Sequence, residues 1–213
     1  MKKIGLLFAI VILLVGSYLT WSYQKLASVP LEKVIIEVIT DRNFKFIPAF
    51  VAKRYLDWAS IDVNGTLDRS PTPYLNFSLF GYRKVEGSKT TTENRKKRLN
   101  NIKVLDIAQL LIDKGANVDS IDPKTGWAPL HEAILLNQPE VARFLIKNAA
   151  NPKVKIAMPS SKYHGLDALG FARRMAEETE NEDYTEIIKL ISAYYQKFND
   201  HKVDGKLKAG LKK

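Results

Sequence analysis

The sequence predicts an all-α protein: a solenoid of about four irregular helix pairs, preceded by an N-terminal transmembrane helix or signal peptide. Three observations carry this. Ala108–Asp119 (AQLLIDKGANVD) and Ala142–Lys153 (ARFLIKNAANPK) align at an offset of 34, so Leu110, Leu111 and Ile112 fall on Phe144, Leu145 and Ile146. A helix-opening stretch, Gly126–Ala133 (GWAPLHEA), returns at Gly165–Ala172 (GLDALGFA), 39 residues on. Residues 4–24 carry no charge. Self-similarity at a period of roughly 20–50 residues marks architectures in which each unit buries its apolar face only against its neighbours, so at least about three units are expected.

The first element is the uncharged run. Lys2 and Lys3 open the chain and the next charge is Lys25. Twenty-one uncharged positions make a helix of about 31 Å, against a hydrocarbon core of about 30 Å. Tyr18, Trp21 and Tyr23 lie where an interfacial aromatic belt would sit, which favours an uncleaved anchor. A cleaved signal peptide would instead use Ile4–Val15 as its apolar run, with Gly16 and Ser17 at the cleavage site. Either way Lys2 and Lys3 stay in the cytoplasm and the rest is exported. The expected organisation is 1–25 signal anchor or signal peptide, 26–196 repeat domain with a basic insertion at about 83–103, and 197–213 Lys-rich tail.

Four helix pairs follow. The first joins LEKVIIEVITDRN to PAFVAKRYLDWA, where Tyr55, Leu56, Val63 and Asn64 match Leu110, Leu111, Val118 and Asp119 at an offset of 55. The second joins TPYLNFSLFGY to NIKVLDIAQLLIDKG, with Pro73 equivalent to Pro129. The third is TGWAPLHEAILLNQPEVARFLIKNAAN, and Pro129 begins its first helix, where a missing N–H costs nothing. The fourth joins GLDALGFARRMAEE to DYTEIIKLISAYYQKF, whose polar EETENEDYTE suits an end cap. The second pair is split by RKVEGSKTTTENRKKRLN, a loop long enough to be functional or disordered, whose end is expected to extend the following helix backward with Arg95, Lys96, Lys97 and Arg98 exposed.

These residues resemble ankyrin repeats: GWAPLHEAILLNQPEVARFLIKNAAN carries the family's G-x-T-P-L-H-x-A opening and its L-L-x-x-G-A closing in degraded form. The resemblance covers roughly residues 31–196 and implies an ankyrin-repeat solenoid, antiparallel helix pairs with turns projecting as fingers. It assigns architectural roles to Pro73, Gly115, Gly126, Pro129, His131, Asn137 and Gly165. His131 is expected to tie neighbouring turns together, and Ala128 stands where the family has Thr. Asn137 stands where the family has Gly at a helix end, and Asn tolerates the left-handed conformation. Ala149 stands where Gly115 stands one repeat earlier, and a retained positive φ would strain it by about 1 kcal/mol. The family binds proteins through finger tips and the first helix of each pair. Carried over, that places Asp122, Lys124 and Trp127 at a finger and Glu132, Leu135 and Leu136 on the helix, while the basic insertion itself, Arg95–Arg98, is expected to contact a partner or an anionic membrane. Exposed aromatics are favoured hot spots, while the architectural alternative packs Trp127 on the next finger, PSSKYHG, against Tyr163.

No enzyme is expected. The chain has no Cys, so disulfides, thiolate metal sites and Cys nucleophiles are excluded. His131, His164 and His201 share no metal-ligand spacing. There is no G-x-S-x-G and no phosphate-binding glycine loop, so no cofactor is expected. Asn64 (NGT) and Asn76 (NFS) match glycosylation sequons, which matter only in a eukaryotic secretory route. The net charge of +10 sits in the insertion and the tail. Basic clusters suit nucleic acid, anionic lipid or an acidic protein, and the export segment argues against nucleic acid. The expected function is therefore a non-enzymatic protein-binding module, tethered at a bacterial inner membrane with its repeats in the periplasm, or soluble there if cleaved. Its organisation resembles exported ankyrin immunity proteins of type VI secretion phospholipase effectors, which implies a 1:1 complex that covers a toxin's active site. The alternative is a periplasmic scaffold or envelope-assembly factor.

Overall fold

A computed structural model describes residues 2–40, 49–67, 70–82, 92–180 and 183–196, with the side chains of residues 1–10 and a few helical positions outside the description. Residues 83–91 of the insertion and the tail 197–213 lie outside the described residues. The chain is helical, and among the described residues it has isolated bridges but no strand. A long helix α1 (Lys2–Ala27) leads into pairs α2 (Leu31–Thr40) with α3 (Ala49–Trp58), α4 (Tyr74–Leu79) with α5 (Thr92–Asp113), and α6 (Pro129–Leu135) with α7 (Pro139–Lys147). The last pair is α8 (Ala168–Glu178) with α9, residues 185–196. α1 packs on α3, and the first helices of the pairs stack in order: α2 on α4, α4 on α6, α6 on α8.

The sequence offsets correspond to one repeated way of ending a helix. After α5, Gly115 N–H donates to Ile112 O at 2.8 Å and Ala116 N–H to Leu111 O at 2.9 Å. After α6, Asn137 N–H donates to Ile134 O and Gln138 N–H to Ala133 O, both at 2.9 Å. After α7, Ala149 N–H donates to Ile146 O and Ala150 N–H to Leu145 O, both at 3.0 Å. This paired pattern satisfies the last carbonyls of a helix and places one residue in the left-handed region. That residue is Gly115 (φ 93), Asn137 (φ 45) and Ala149 (φ 63), so one geometry is met with three side chains. After Asn137, Gln138 leads directly into Pro139, the first residue of α7, so the turn between α6 and α7 is minimal.

The core runs the length of the stack. Ile35, Leu56, Leu75, Ile107, Leu111, Ile134, Leu145, Phe171 and Ile187 are fully buried, drawn from all four pairs. α5 is longer than its partners because it takes up residues 92–100 from the insertion ahead of its core segment. α1 joins the core at its last turns, where Ser22 and Leu26 are 0% exposed. The segment boundary expected at residue 25 thus falls inside one continuous helix. Among the described residues no helix is long and apolar enough to cross a membrane. The expected span 4–24 lies partly outside them, since side chains before Val11 are not described.

Candidate protein-binding face

The third finger is built from Asp122. Its N–H donates to Trp127 O at 2.9 Å, and its own carbonyl accepts from Gly126 N–H at 2.7 Å, closing the turn. Its carboxylate accepts from Lys124 N–H at 2.8 Å and, across the stack, from the Thr72 hydroxyl at 2.8 Å. Asp122 is 1% exposed. Gly126 is required twice over: its φ is +72, and a Cβ there would collide with the Met158 backbone nitrogen of the next finger. That close approach lets Ala157 N–H donate to Gly126 O at 2.8 Å, so fingers three and four are bonded together. At the start of α6, Ala128 N–H donates to His131 Nδ1 at 3.2 Å, which fixes the imidazole as the cap of its own helix. Burial pushes the His131 pKa down to about 4, partly offset by the Val154 backbone and the Asp167 charge.

Trp127 is half-buried. Its ring centroid lies 5.8 Å from that of Phe171, which also meets Tyr163 at 5.0 Å and His131 at 6.0 Å. Phe171 is 0% exposed and sits on α8, so Trp127 and Tyr163 close over the joint between the third and fourth pairs. Lys124 remains exposed at the finger.

Glu132 is buried on α6 and carries the strongest electrostatic anomaly of this region. Its Oε1 accepts from Asn76 Nδ2 at 3.3 Å, and Asn76 Oδ1 in turn accepts from the Ser120 hydroxyl at 3.0 Å. Oε2 is buried without a hydrogen-bond partner. Burial pushes the Glu132 carboxyl up to about 8, held back by the Asn76 bond and reinforced by the nearby Asp122 charge. The group is therefore largely a neutral acid near pH 7. Asn76, one of the two sequon residues, is 0% exposed and spent in this network.

The open surface lies at the far end of α6. Leu136 is 44% exposed, and Phe80, at the equivalent end of α4, is 42% exposed. Both border a small recess with Glu132 and Gln138. Gln138 also lines a groove of about 610 Å³ beside it, with Tyr82, Arg98, Ile102, Pro139 and Glu140. Leu99 and Ile102, near the middle of α5, are also exposed. Lys96 and Arg98 are exposed and Lys97 half-buried, while the Arg95 side chain lies outside the described residues. Leu135 is half-buried, its carbonyl accepting from the Tyr184 hydroxyl at 3.2 Å.

Residues 99–156 match the family model for ankyrin repeats (3 copies). Ankyrin repeats are present in this chain. The human 2-5A-dependent ribonuclease is 31% identical over 51 residues, which is 24% of this chain and 7% of that protein. The chain thus spans a small part of the relative it matches. Ankyrin repeats are protein–protein interaction modules and are typically non-catalytic. Among the described residues, no group of three or more His, Asp or Glu could hold a metal ion.

The geometry corrects part of the expected contact set. Asp122 and Glu132 were placed on the surface by their position in the repeat, but both are inside, because Thr72 and Asn76 of the preceding repeat reach across to them. Trp127 packs towards the fourth helix pair through Phe171, whose ring Tyr163 also meets. Leu136 and Arg98 are brought onto one surface through Gln138, whereas Lys124 sits at the finger end of α6. Phe80, Leu99 and Ile102 were missed. The alignment of Pro73 with Pro129 carries the signal for Phe80, since the same offset sets Phe80 on Leu136. Leu99 and Ile102 sit just past the basic run Arg95–Arg98.

Proposed function

We propose that this chain is a non-enzymatic, exported and membrane-tethered bacterial ankyrin protein that neutralises a secreted antibacterial toxin of the lipase or phospholipase class. The reading of a single tight partner rests on one observation: Phe80 and Leu136 form an exposed apolar pair beside the Arg98 groove, on a scaffold whose repeats are bonded together. Apolar anchors rimmed by polar groups concentrate binding energy, and a nearby cationic surface speeds encounter with an acidic partner. The complex is 1:1 and acts sterically, covering the cleft through which lipid reaches the toxin. Export is supported by the uncharged run 4–24 behind Lys2 and Lys3. The toxin class is supported by likeness of organisation, a short exported chain with irregular ankyrin repeats, and is therefore analogy of fold and architecture.

Deleting the gene is expected to make cells sensitive to toxin-armed siblings, and a strain that stays as resistant as its parent would end this reading. Affinity capture of the full chain from its own envelope is expected to give one equimolar companion. Several weak companions would instead mark a scaffold or envelope-assembly factor.

A further inference from the structure

The first helix pair and the exit of α1 share an aromatic flank. Tyr23 stacks on Trp58 of α3, with centroids 6.2 Å apart and planes 13° from parallel, and also meets Tyr55 at 5.8 Å. Tyr18 and Trp21 pair at 6.0 Å one turn earlier. Trp58 is 65% exposed and Trp21 45%. The Arg54 guanidinium lies over the Trp58 ring at 4.2 Å and also reaches Asp57 at 3.9 Å. Lys33 and Lys53 are exposed on the same pair.

Directly upstream, Val11, Ile12, Leu13, Leu14 and Val15 are 50–69% exposed. Five successive helical residues point around the whole circumference, at about 100° per step. A protein groove would cover one side only, whereas apolar exposure on every side is the signature of a helix surrounded by lipid. The aromatics from Tyr18 to Tyr23 span about 7.5 Å of helix, and the polar interfacial layer of a bilayer is about 5–7 Å thick on each side. Trp and Tyr favour that layer because one edge of each is apolar and the other hydrogen-bonds.

Connectivity decides how the repeats sit. α1 continues unbroken to Ala27, Leu26 and Ser22 are buried against the first pair, and Ser28–Pro30 alone separate α1 from α2. There is no tether for the stack to swing on.

We propose that Trp21, Tyr23 and Trp58, with Arg54, form a lipid-headgroup contact that seats the first helix pair on the surface of an anionic phospholipid bilayer. The repeat stack is held against the membrane in one orientation, and cleavage after Gly16 or Ser17 would remove the apolar turns Val11–Val15 while leaving Tyr18, Trp21 and Tyr23 on the first pair. This rests on the anchor reading of residues 4–24.

The chain has no Cys, so single labelling sites can be introduced cleanly. In full-length protein reconstituted in vesicles of phosphatidylethanolamine and phosphatidylglycerol, Trp58→Cys and Lys189→Cys would each carry an environment-sensitive fluorophore. Lys189 is exposed on α9, in the last helix pair of the stack. The label at 58 is expected to shift to the blue and to be quenched by lipids brominated near the headgroup, with the label at 189 unaffected. A chain that floats with the vesicles while both labels stay in water would overturn the headgroup contact and leave the anchor standing. A label at 58 that is shielded from water but untouched by brominated lipid would assign this flank to a protein partner or a second copy, and would also overturn it. A chain that does not float would overturn both.

Discussion

Glu132 and His131 are adjacent in sequence and buried, and they pull stability in opposite directions with pH. The folded Glu132 carboxyl titrates at about 8 against 4.5 in the unfolded chain, so the folded state holds the extra proton between those values. Stability falls as pH rises across that window. The folded His131 titrates at about 4 against 6.5, so the unfolded state holds the extra proton and stability falls as pH drops from about 6.5 to about 4. From this pair, thermal stability is expected to be flat between about pH 4.5 and 6.5 and to decline on both sides. Glu132→Gln keeps an acceptor for Asn76 and removes the titration, so melting curves should lose the decline above about pH 6.5. A second residue test uses Ala149, whose φ of 63 is the left-handed value that Gly115 also adopts. Ala149→Gly is expected to raise stability by up to about 1 kcal/mol, the relieved strain exceeding the entropy cost of glycine. Urea unfolding at fixed m-value would measure it.

At the scale of elements, the helix pairs were legible because each of their signals is local. Pro129 opens α6, Asn137 ends it, and Pro139 opens α7, all read from short-range chemistry. The placement of Asp122 and Glu132 was illegible for the opposite reason: Thr72 and Asn76 lie 50 and 56 residues away. No spacing rule tells whether an acid on a finger faces water or a hydroxyl from the repeat before. Trp127 depended in the same way on Phe171, a residue that the GLDALGFA alignment placed on α8 without indicating what it touches. Phe171 holds three aromatic partners at one joint, so Phe171→Ala is expected to cost about 3–5 kcal/mol. The loss should be local, with Trp127 fluorescence shifting to the red while the first two pairs keep their helicity.

For the molecule as a whole, the first helices of successive pairs stack each on the next among the described residues, so the stack behaves as a one-dimensional object whose surfaces are set by position along it. α4 and α6 end in Phe80 and Leu136, while α1 and α3 carry Trp21 and Trp58. Part of the basic surplus, Lys96 and Arg98, is exposed near the start of α5, where Arg98 lines the groove beside the apolar pair. Phe80→Asp and Leu136→Asp are each expected to weaken capture of the partner by about 30-fold, since each hot spot is worth roughly 2 kcal/mol, and together by up to several hundred-fold. Circular dichroism should be unchanged, because both side chains are exposed. Substituting Lys96 and Arg98 by Glu should act differently, slowing association at low salt and losing its effect at high salt.

The finger bases are joined by side chains that accept from the backbone of the following repeat. Asn117 N–H donates to Asn64 Oδ1 at 2.8 Å, and Asn151 N–H donates to Asp119 Oδ1 at 2.8 Å. Neither amide is satisfied within its own helix pair, so neither is protected by local helix stability. Parting of two adjacent repeats breaks each of these bonds and opens the amide to exchange with deuterium. These two protons are built-in gauges, one for the seam between the first and second pairs and one for the seam between the second and third, and a partner that clamps across either seam would slow its gauge without touching the residue that carries it.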